Sequence, residues 1–304
     1  MPAIVWCNGS VVEWSDARVS AFDAGLQHGV GLFETMLAID GEVYRLDAHV
    51  ERLCASARDL GLSHSLRHDP LCESVRRVAR QSELPRARVR LTVTGGDLNM
   101  LARGQESSQD PTVIIAAQPA TEYPDEMFER GVRVVVGDMR LNPLDPMEGH
   151  KTLNYWSRLR ALQEAARSGG AEALMLQVTN HVCSGAVSNV FVVRDGVLHT
   201  PIARGEEEGG SMASPVLPGI TRGAVFDLAS RDGIGCSARM LSMEDVLEGE
   251  EVFMTNSSWG VLPVVSVEAA SIGDGVPGPM TRRIREMLLD DMAHTSAGGV
   301  SPDG

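Results

Sequence analysis

The chain has 304 residues, 43% of them apolar, which suffices for a substantial core and most naturally for two domains. Its formal net charge of -14 argues against nucleic acid or an anionic membrane as a partner, because phosphate binding requires clustered cations. No apolar run has the length of a membrane span, and the first residues lack the charged-then-apolar pattern of a secretory leader, so we expect a cytoplasmic protein.

The five cysteines are scattered along the chain, odd in number and never spaced as Cys-x-x-Cys. They are Cys7, Cys54, Cys72, Cys183 and Cys236. Reduced thiols in a cytoplasmic protein explain this pattern best, and we expect no metal site from it.

The first half of the chain is predicted to be rich in strands. Strands are predicted at 4–5, 10–13, 32–39, 42–44, 88–94 and 112–117, with a hairpin signal at Asp40-Gly41. Helices are predicted over 46–60, where apolar residues recur every three or four positions, and over 70–81. The polar segment 95–110 contains several glycines, and we predict a mobile loop near a site.

The second half alternates strands and helices more regularly. Strands are predicted at 132–136, 173–177, 190–194, 251–255 and 264–267, and helices at 153–168, 221–231, 242–247 and 279–292. The segment 118–125 carries two prolines and few large apolar residues, which indicates a domain linker. We therefore predict a small N-terminal domain at 1–120, a linker at 121–126, a large domain at 127–293 and a disordered tail at 294–304.

The segment His150-Lys151-Thr152-Leu153-Asn154-Tyr155-Trp156 lies between a turn-rich loop, 142–149, and the predicted helix. Very few of the 27 basic residues are lysines, and Lys151 is one of them. A lysine held partly desolvated at such a junction offers a neutral amine as a nucleophile. The alternative is an ordinary surface lysine at the start of a helix.

A second set of segments has the character of an anion site. Leu217-Pro218-Gly219-Ile220-Thr221-Arg222 places a tight turn directly before a helix, where backbone N–H groups and the helix dipole attract an anion. Thr221 and Thr255 add hydroxyl donors, and Arg52 offers a charge-assisted contact. An amine nucleophile and a phosphate cradle together are what a pyridoxal phosphate enzyme requires.

In this order the segments resemble the class IV aminotransferases, the fold-type IV family of pyridoxal phosphate enzymes, over roughly residues 4–290. Similar elements in the smaller domain are Phe22-Asp23-Ala24-Gly25, Gly31-Leu32-Phe33-Glu34-Thr35 and the stretch from Asp47-Ala48-His49 to Leu53. The resemblance implies an α+β or α/β fold like that of D-amino acid aminotransferase. Its smaller N-terminal domain would be α/β, and its larger C-terminal domain would have a β-barrel-like core. It also implies a homodimer.

The resemblance further implies a role for individual residues. Lys151 would form the Schiff base with pyridoxal 5′-phosphate and move the proton between substrate and cofactor. The phosphate would be held by Arg52, Ile220, Thr221 and Thr255, with Ile220 acting through its backbone N–H. Leu217 would lie against the cofactor ring and Tyr155 would reach its phenolic oxygen. The candidates for substrate binding are Arg90 and Asn256.

One position departs from the family. The family usually has a glutamate, paired with the pyridine nitrogen, five residues before the Asn of its Ser-Asn-x-Phe motif, and this chain has Ser184 there, counted from Asn189. A carboxylate keeps that nitrogen protonated, whereas a hydroxyl only hydrogen-bonds to it, so we expect slower transamination or a shift toward elimination. Alternatively, Glu172 or a water molecule takes the place of the family's glutamate at the pyridine nitrogen.

Three activities stay open. Residues 151–155 and 88–97 favour an aminotransferase, and the second segment contains the strand that carries Arg90. Its substrates would be an amino acid, possibly branched-chain, and a 2-oxo acid such as 2-oxoglutarate. A 4-amino-4-deoxychorismate lyase, which releases pyruvate and forms 4-aminobenzoate, is favoured by 31–35, 255–264 and Ser184. Thr94 stands where that lyase and the D-amino acid aminotransferases would have an arginine. A cofactor-binding homologue without turnover is supported by Ser184 alone.

Overall fold

The structure is a computed structural model that describes residues 4–97 and 111–296. The chain forms two compact units. The first holds the described residues up to Thr121, together with His150–Asn154 and the end of the last helix from Met292. The second holds Glu122–Gly149 and Tyr155–Asp291. Residues 98–110 of the predicted loop and 297–304 of the predicted tail lie outside the described residues.

The first unit contains an antiparallel sheet. Its strands are β1 (Ile4–Cys7), β2 (Ser10–Glu13), β3 (Gly31–Ile39), β4 (Glu42–Val43), β5 (Arg86–Thr94) and β6 (Val113–Pro119), in the order β2-β1-β6-β5-β3-β4. Its helices are α1 (Ala24–His28), α2 (Leu46–Asp59) and α3 (His68–Gln81), and a 3-10 turn spans Trp14–Asp16.

Alternation along β5 explains how this unit folds. Its odd-numbered residues from 87 to 93 are apolar and buried, whereas Arg86, Arg88 and Arg90 are exposed. A strand with this pattern buries one face only. Apolar residues on α2 and α3 pack against that face and complete one hydrophobic core.

The second unit contains a mixed sheet that forms a curled half-barrel. Its strands are β7 (Val132–Leu141), β8 (Glu172–Gln177), β9 (Val182–Gly185), β10 (Asn189–Arg194), β11 (Val197–Thr200), β12 (Cys236–Ala238), β13 (Glu251–Asn256), β14 (Gly260–Val267) and β15 (Ala270–Ser271). The order is β12-β11-β10-β13-β14-β7-β8-β9, and β15 pairs with β14. Strand β7 is parallel to both of its neighbours. The helices are α4 (Glu126–Glu129), α5 (Trp156–Arg167), α6 (Ile220–Arg231), α7 (Met243–Leu247) and α8 (Pro279–Ser296).

The predicted fold class is confirmed, since an antiparallel N-terminal sheet is followed by a larger half-barrel of the fold-type IV kind. The helix predicted from Leu153 is wrong at its start, because α5 begins at Trp156. Residues 151–153 instead run extended beside β3, where the Phe33 N–H donates to the Lys151 carbonyl at 2.9 Å. Within the described ranges, no helix has both the length and the apolarity needed to cross a membrane.

Candidate active site

Lys151 is the only lysine in the sequence, so every other basic residue of the 27 is an arginine. Two hydrogen bonds join its segment to β3, because its carbonyl accepts from the Phe33 N–H and the Leu153 N–H donates to the Gly31 carbonyl, both at 2.9 Å. Its Nζ lies 4.5 Å from the centroid of the Phe33 ring, and the guanidinium of Arg90 lies 3.9 Å from the same ring. The structure thus brings together the predicted nucleophile and one predicted substrate-binding residue through a shared aromatic partner.

Arg52, on the same unit, is held by a buried carboxylate. Its Nε donates to Glu34 Oε1 at 2.8 Å, and its Nη2 donates to Oε2 at 2.5 Å. His49 Nδ1 donates to Oε2 as well, at 2.7 Å. These contacts leave the guanidinium in one orientation, because both ends of a planar fork are engaged at once.

The electrostatics of this cluster follow from burial and charge. Burial by itself would raise the pKa of Glu34, but Arg52 and His49 outweigh it and lower that pKa to about 2. Burial lowers the pKa of His49, the pull of Glu34 opposes this, and the positive charges of Arg52 and Lys151 lower it further. A carboxylate, a neutral imidazole and a guanidinium therefore form a rigid group on α2 and β3.

In the second unit, Asn189 connects the turn before α6 to the sheet. Its Nδ2 donates to the Leu217 carbonyl at 2.9 Å. A Cβ on Gly219 would lie 1.9 Å from Asn189 Oδ1, so the turn can approach this closely only with a glycine. Asn189 on β10 is directly opposite Thr255 on β13, and paired residues of neighbouring strands direct their side chains to the same face. Thr255 therefore lies on the face of the sheet that the turn reaches.

Among the residues that the structure describes, hydrogen-bond donors without a partner lie at the first turn of α6 and at Thr255. Thr255 is 1% exposed, and its Oγ1 has no hydrogen-bond partner in the described part of the chain. The N-cap of α6 is Gly219, so no side chain within the described ranges caps the first turn, whose N–H groups have no acceptor inside the helix. Buried donors at a helix N-terminus with a free hydroxyl beside the same turn fit a phosphate group well.

Tyr155, at the N-cap of α5, belongs to a second cluster in this unit. Its hydroxyl donates to the Ala186 carbonyl at 3.4 Å, and Arg158 Nη1 donates to the same oxygen at 3.5 Å. Arg158 also donates from Nη2 to Glu148 Oε2 at 2.9 Å. Burial opposes the charge of Arg158, but Tyr155 and Glu148 hold its pKa above the ordinary value. This partly buried ion pair fixes the end of the helix that presents Tyr155.

Ser184 is buried in β9, and its Oγ donates to the neighbouring Gly185 carbonyl at 2.8 Å. Glu172 is the first residue of β8 and does not precede that strand as the sequence suggested. Its two oxygens accept from the N–H groups of residues 173, 186 and 187 and from the Ser188 hydroxyl, over 2.9–3.2 Å. Burial raises the pKa of Glu172, which these four donors oppose. All of these contacts secure the turn after Ser184, so Glu172 has a positioning role there.

The remaining predicted residues lie at turns. Asn256 ends β13, where its Oδ1 accepts from the N–H groups of Ser258 and Trp259 at 2.9 and 3.0 Å, and its Nδ2 donates to the Val187 carbonyl at 3.3 Å. These contacts shape the β13–β14 turn, and a role of Asn256 toward a substrate stays a prediction. Thr221 is buried in the first turn of α6.

Comparison with known proteins identifies the family. The model of the family described as amino-transferase class IV matches residues 31–267, more than half of the chain. The chain belongs to the class IV aminotransferase family. The branched-chain-amino-acid aminotransferase of Escherichia coli strain K12 is 34% identical over 292 residues, which cover 94% of this chain and 91% of that protein.

Solved structures of this family are similar over nearly the whole chain. The Escherichia coli branched-chain amino acid aminotransferase matches with a TM-score of 0.86 and 33% identity, covering 95% of this chain and 94% of that one. The T.th. branched-chain amino acid aminotransferase with pyridoxamine 5′-phosphate matches with a TM-score of 0.84 and 27% identity, covering 97% and 95%. The 4-amino-4-deoxychorismate lyase from Pseudomonas aeruginosa matches with a TM-score of 0.81 and 29% identity, covering 94% and 98%. The expected family and cofactor class are thereby confirmed.

Sequence reasoning missed several residues that position groups in this class IV aminotransferase. Glu34 has a usable signal, because a charged residue between Leu32 and Met36, at two-residue spacing, indicates a buried charge that needs partners. Asn189 has no such signal, because its partner Leu217 lies 28 positions away. Arg158 gave no signal, because an arginine in the first turn of a helix is usually solvated.

Proposed function

We propose that this class IV aminotransferase uses pyridoxal 5′-phosphate to exchange amino and keto groups between a branched-chain amino acid and a 2-oxo acid such as 2-oxoglutarate. The observation that carries the proposal is the placement of the chain's only lysine, whose carbonyl is bonded to β3 and whose Nζ lies 4.5 Å from the centroid of the Phe33 ring that Arg90 also contacts. The relatives named for branched-chain amino acids support the substrate class.

The cofactor, when bound, supplies an electron sink for the bonds at the substrate Cα. Lys151 contributes the amine that holds the cofactor and that takes and returns the proton at Cα. The hydrogen bonds of the Lys151 carbonyl and the Leu153 N–H to β3 hold the backbone from which this amine extends. Arg90 is proposed to bind the substrate carboxylate, and its guanidinium packs against the face of the Phe33 ring.

The phosphate is proposed to bind to the first turn of α6, through the backbone N–H of Ile220 and through Thr221, and to the hydroxyl of Thr255. The unsatisfied Thr255 Oγ1 supports this role, because a buried hydroxyl without a partner is costly unless a ligand uses it. Arg52 is proposed to add a charged contact, with Glu34 fixing its orientation.

Two further roles belong to the same proposal. Leu217 is proposed to lie against the cofactor ring, and its carbonyl already anchors the turn through Asn189. Tyr155 is proposed to reach the phenolic oxygen, and the Glu148–Arg158 pair holds the helix end that carries it.

A second candidate function is 4-amino-4-deoxychorismate lyase. Ser184 favours it, because a hydroxyl at the pyridine nitrogen leaves the ring a weaker electron sink than a carboxylate does. Elimination depends less on a protonated ring than transamination does. The similarity to the Pseudomonas aeruginosa lyase supports the same reading.

The experiment that separates the two supplies the purified protein with cofactor. One arm contains L-leucine, L-valine or L-isoleucine with 2-oxoglutarate, and glutamate is measured. The other arm contains aminodeoxychorismate, and pyruvate is measured. Lys151→Ala serves as the blank in both arms. Glutamate formed in excess of pyruvate, by the wild type only, is the expected result. Pyruvate without glutamate establishes the lyase, and neither product above the blank contradicts both functions.

We also propose that the chain works as a homodimer in the cytoplasm. Large apolar side chains are exposed in the first unit, with Trp14 at 62%, Phe22 at 68% and Leu26 at 67%. Exposed side chains of this kind are suited to burial against a second copy. The five cysteines are free thiols in the structure, in keeping with a reducing compartment.

A further inference from the structure

Three metal-ligating side chains of different types meet on the first unit, and none of them belongs to the Glu34–His49–Arg52 cluster. Asp47 lies in the first turn of α2, His68 is the first residue of α3, and Cys72 follows one turn later. Residues four apart on a helix share a face, so α3 directs the imidazole and the thiol to the same side, toward α2. One ligand atom from each residue lies within 4.8 Å of the other two.

The distances are those of a zinc coordination triangle. Cys72 Sγ is 3.7 Å from His68 Nε2 and 3.7 Å from Asp47 Oδ1, and the latter two atoms are 3.8 Å apart. Zinc bonds of about 2.3 Å to sulfur and about 2.0–2.2 Å to nitrogen and oxygen give tetrahedral edges of roughly 3.4–3.6 Å. Each observed edge needs to shorten by only a few tenths of an ångström. The imidazole must also turn, because Nε2 lies 3.2 Å from the Asp47 backbone carbonyl and Cys72 Sγ lies 4.0 Å from Nδ1.

The surroundings also fit a metal site. Asp69 Oδ1 lies 2.8 Å from His68 Nδ1, and a carboxylate on the second ring nitrogen is the usual partner of a zinc-bound histidine. Arg76 contacts the other oxygen of Asp47, Oδ2, at 3.5 Å, so Oδ1 stays turned toward the thiol and the ring. The side chains of Asp47 and His68 are 70% and 36% exposed, which gives an ion a path from solvent and room for water as a fourth ligand.

We propose that Asp47, His68 and Cys72 bind one zinc ion, or a cation of similar preference, which links the start of α2 to the start of α3. Sulfur, nitrogen and carboxylate ligands in one small triangle select zinc over magnesium or calcium, which prefer oxygen alone. Binding displaces the thiol proton and the proton on Nε2. The sequence alone predicts no such site, because Asp47 and Cys72 are 25 positions apart and only the packing of α2 on α3 brings them together.

The test uses the full chain with its cofactor bound, stripped with a chelator and then gel-filtered. Zinc chloride is titrated by calorimetry, and cobalt(II) is titrated by absorbance to detect a thiolate-to-metal charge-transfer band. We expect one equivalent of either ion per chain, a charge-transfer band with cobalt, and a higher melting temperature with zinc. His68→Gln and Cys72→Ser should each lower the affinity at least tenfold, and Asp69→Asn should lower it by roughly tenfold.

The matched controls are His64→Gln, an exposed histidine four residues before His68, and Cys236→Ser, a cysteine of the second unit. Both should keep wild-type zinc affinity, and all of the variants should keep transaminase activity. Cys72 is buried, so its variant is used only if it unfolds like the wild type, whereas His68→Gln changes a partly exposed ring and decides the question alone. Wild-type zinc affinity in His68→Gln, or cobalt binding without the charge-transfer band, would overturn the proposal.

Discussion

At the scale of single residues, Glu34 shows how a buried charge can organise a site. It is 1% exposed and lies within 2.8 Å of both Arg52 and His49, so its negative charge replaces the water that each of them has lost. Removing the carboxylate would leave a buried guanidinium without its counter-charge, which costs more than the pair itself contributes. Arg52 therefore depends on Glu34 for its orientation.

Glu34→Gln should lower the free energy of unfolding by about 3 kcal/mol at pH 7, as expected for breaking a buried ion pair. The folded-state pKa of Glu34, about 2, lies below its ordinary value of 4.5. The stabilisation is therefore complete above pH 4.5 and is lost as the pH falls toward 2. Urea unfolding at pH 7 and at pH 3 should show the difference between variant and wild type becoming smaller at the lower pH.

Glu42→Gln provides the matched control, because Glu42 pairs with Arg80 at 2.8 Å on the surface. An exposed pair contributes only about 0–1 kcal/mol, so this variant should unfold nearly like the wild type at both pH values. Equal effects of the two substitutions at pH 7 would show that burial of Glu34 does not strengthen its ion pairs.

Ser184 stands where the resemblance to the family leads us to expect a glutamate, and a substitution can restore that residue. If position 184 faces the pyridine nitrogen, Ser184→Glu should raise kcat for transamination, because a carboxylate keeps that nitrogen protonated. Ser184→Gln is the control, since it has the size of glutamate without the charge. A steady-state assay with L-leucine and 2-oxoglutarate should show a higher rate for Glu than for Gln. Equal rates would mean that position 184 is not paired with the nitrogen.

At the scale of elements, two helices of the second unit begin in different ways. The first turn of α8 is capped by Glu251, whose carboxylate accepts from the N–H groups of Met280 and Thr281 at 2.9 and 2.7 Å. The first turn of α6 has Gly219 at its N-cap and no side-chain cap from the described residues. The N-terminal N–H groups of α8 already have an acceptor and do not need an anion, whereas those of α6 can bind one.

This contrast gives a prediction with two readouts of opposite sign. Thr255→Val removes a buried hydroxyl that has no partner among the residues described, so the protein without cofactor should be as stable as the wild type or more stable by about 1 kcal/mol. The affinity for pyridoxamine 5′-phosphate should fall by roughly fivefold to tenfold, as expected for one lost hydrogen bond to an anion. Urea unfolding and fluorescence titration measure the two effects.

Thr281→Val is the control for this experiment, because Thr281 Oγ1 is also buried and lacks a partner in the described ranges, yet its helix is already capped. It should change stability in the same direction as Thr255→Val and leave the ligand affinity unchanged. A loss of affinity in both variants, or in neither, would contradict the phosphate role of Thr255.

Most elements could be predicted from local pattern, and the errors have a physical cause. The alternation in β5 and the three- and four-residue spacing in α2 are local patterns, so the predicted bounds of both elements agree with the observed ones within a few residues. The start of α5 was wrong because residues 151–153 find hydrogen-bond partners on β3, more than a hundred positions away. Short strands such as β9 and β12 are not predicted, since three or four residues carry too little periodicity.

The candidate site could be predicted only in part. Lys151, Arg52 and the turn before α6 came from motif order, and the count of lysines was available in the sequence. The contacts of Glu34 with Arg52 and of Asn189 with Leu217 depend on which strand and helix pack together, 18 and 28 positions apart, which no local pattern reports. Motifs therefore provide candidate residues for the site, and packing determines which neighbours hold them in place.

At the scale of the whole molecule, we predict a homodimer in solution. Light scattering coupled to size-exclusion chromatography should give twice the mass of one chain for the wild type. Phe22→Glu should reduce that mass toward one chain, because a charge cannot be buried against an apolar partner surface. Val276→Glu, at a residue 59% exposed in the second unit, is the control and should stay dimeric. A monomeric wild type at micromolar concentration would contradict this prediction.

The central claim is that Lys151 is the amine that holds the cofactor, and a single labelling experiment tests it. Because the chain has only one lysine, its side-chain amine competes with nothing but the α-amino group of the chain. The protein is saturated with pyridoxal 5′-phosphate, reduced with borohydride, digested and analysed by mass spectrometry, and Lys151→Arg is treated in parallel. We predict one phosphopyridoxyl group per chain, on the Lys151 peptide, and none in a variant that folds normally. A label on the α-amino group alone, or an unlabelled Lys151 in an enzyme that still transaminates, would contradict the account.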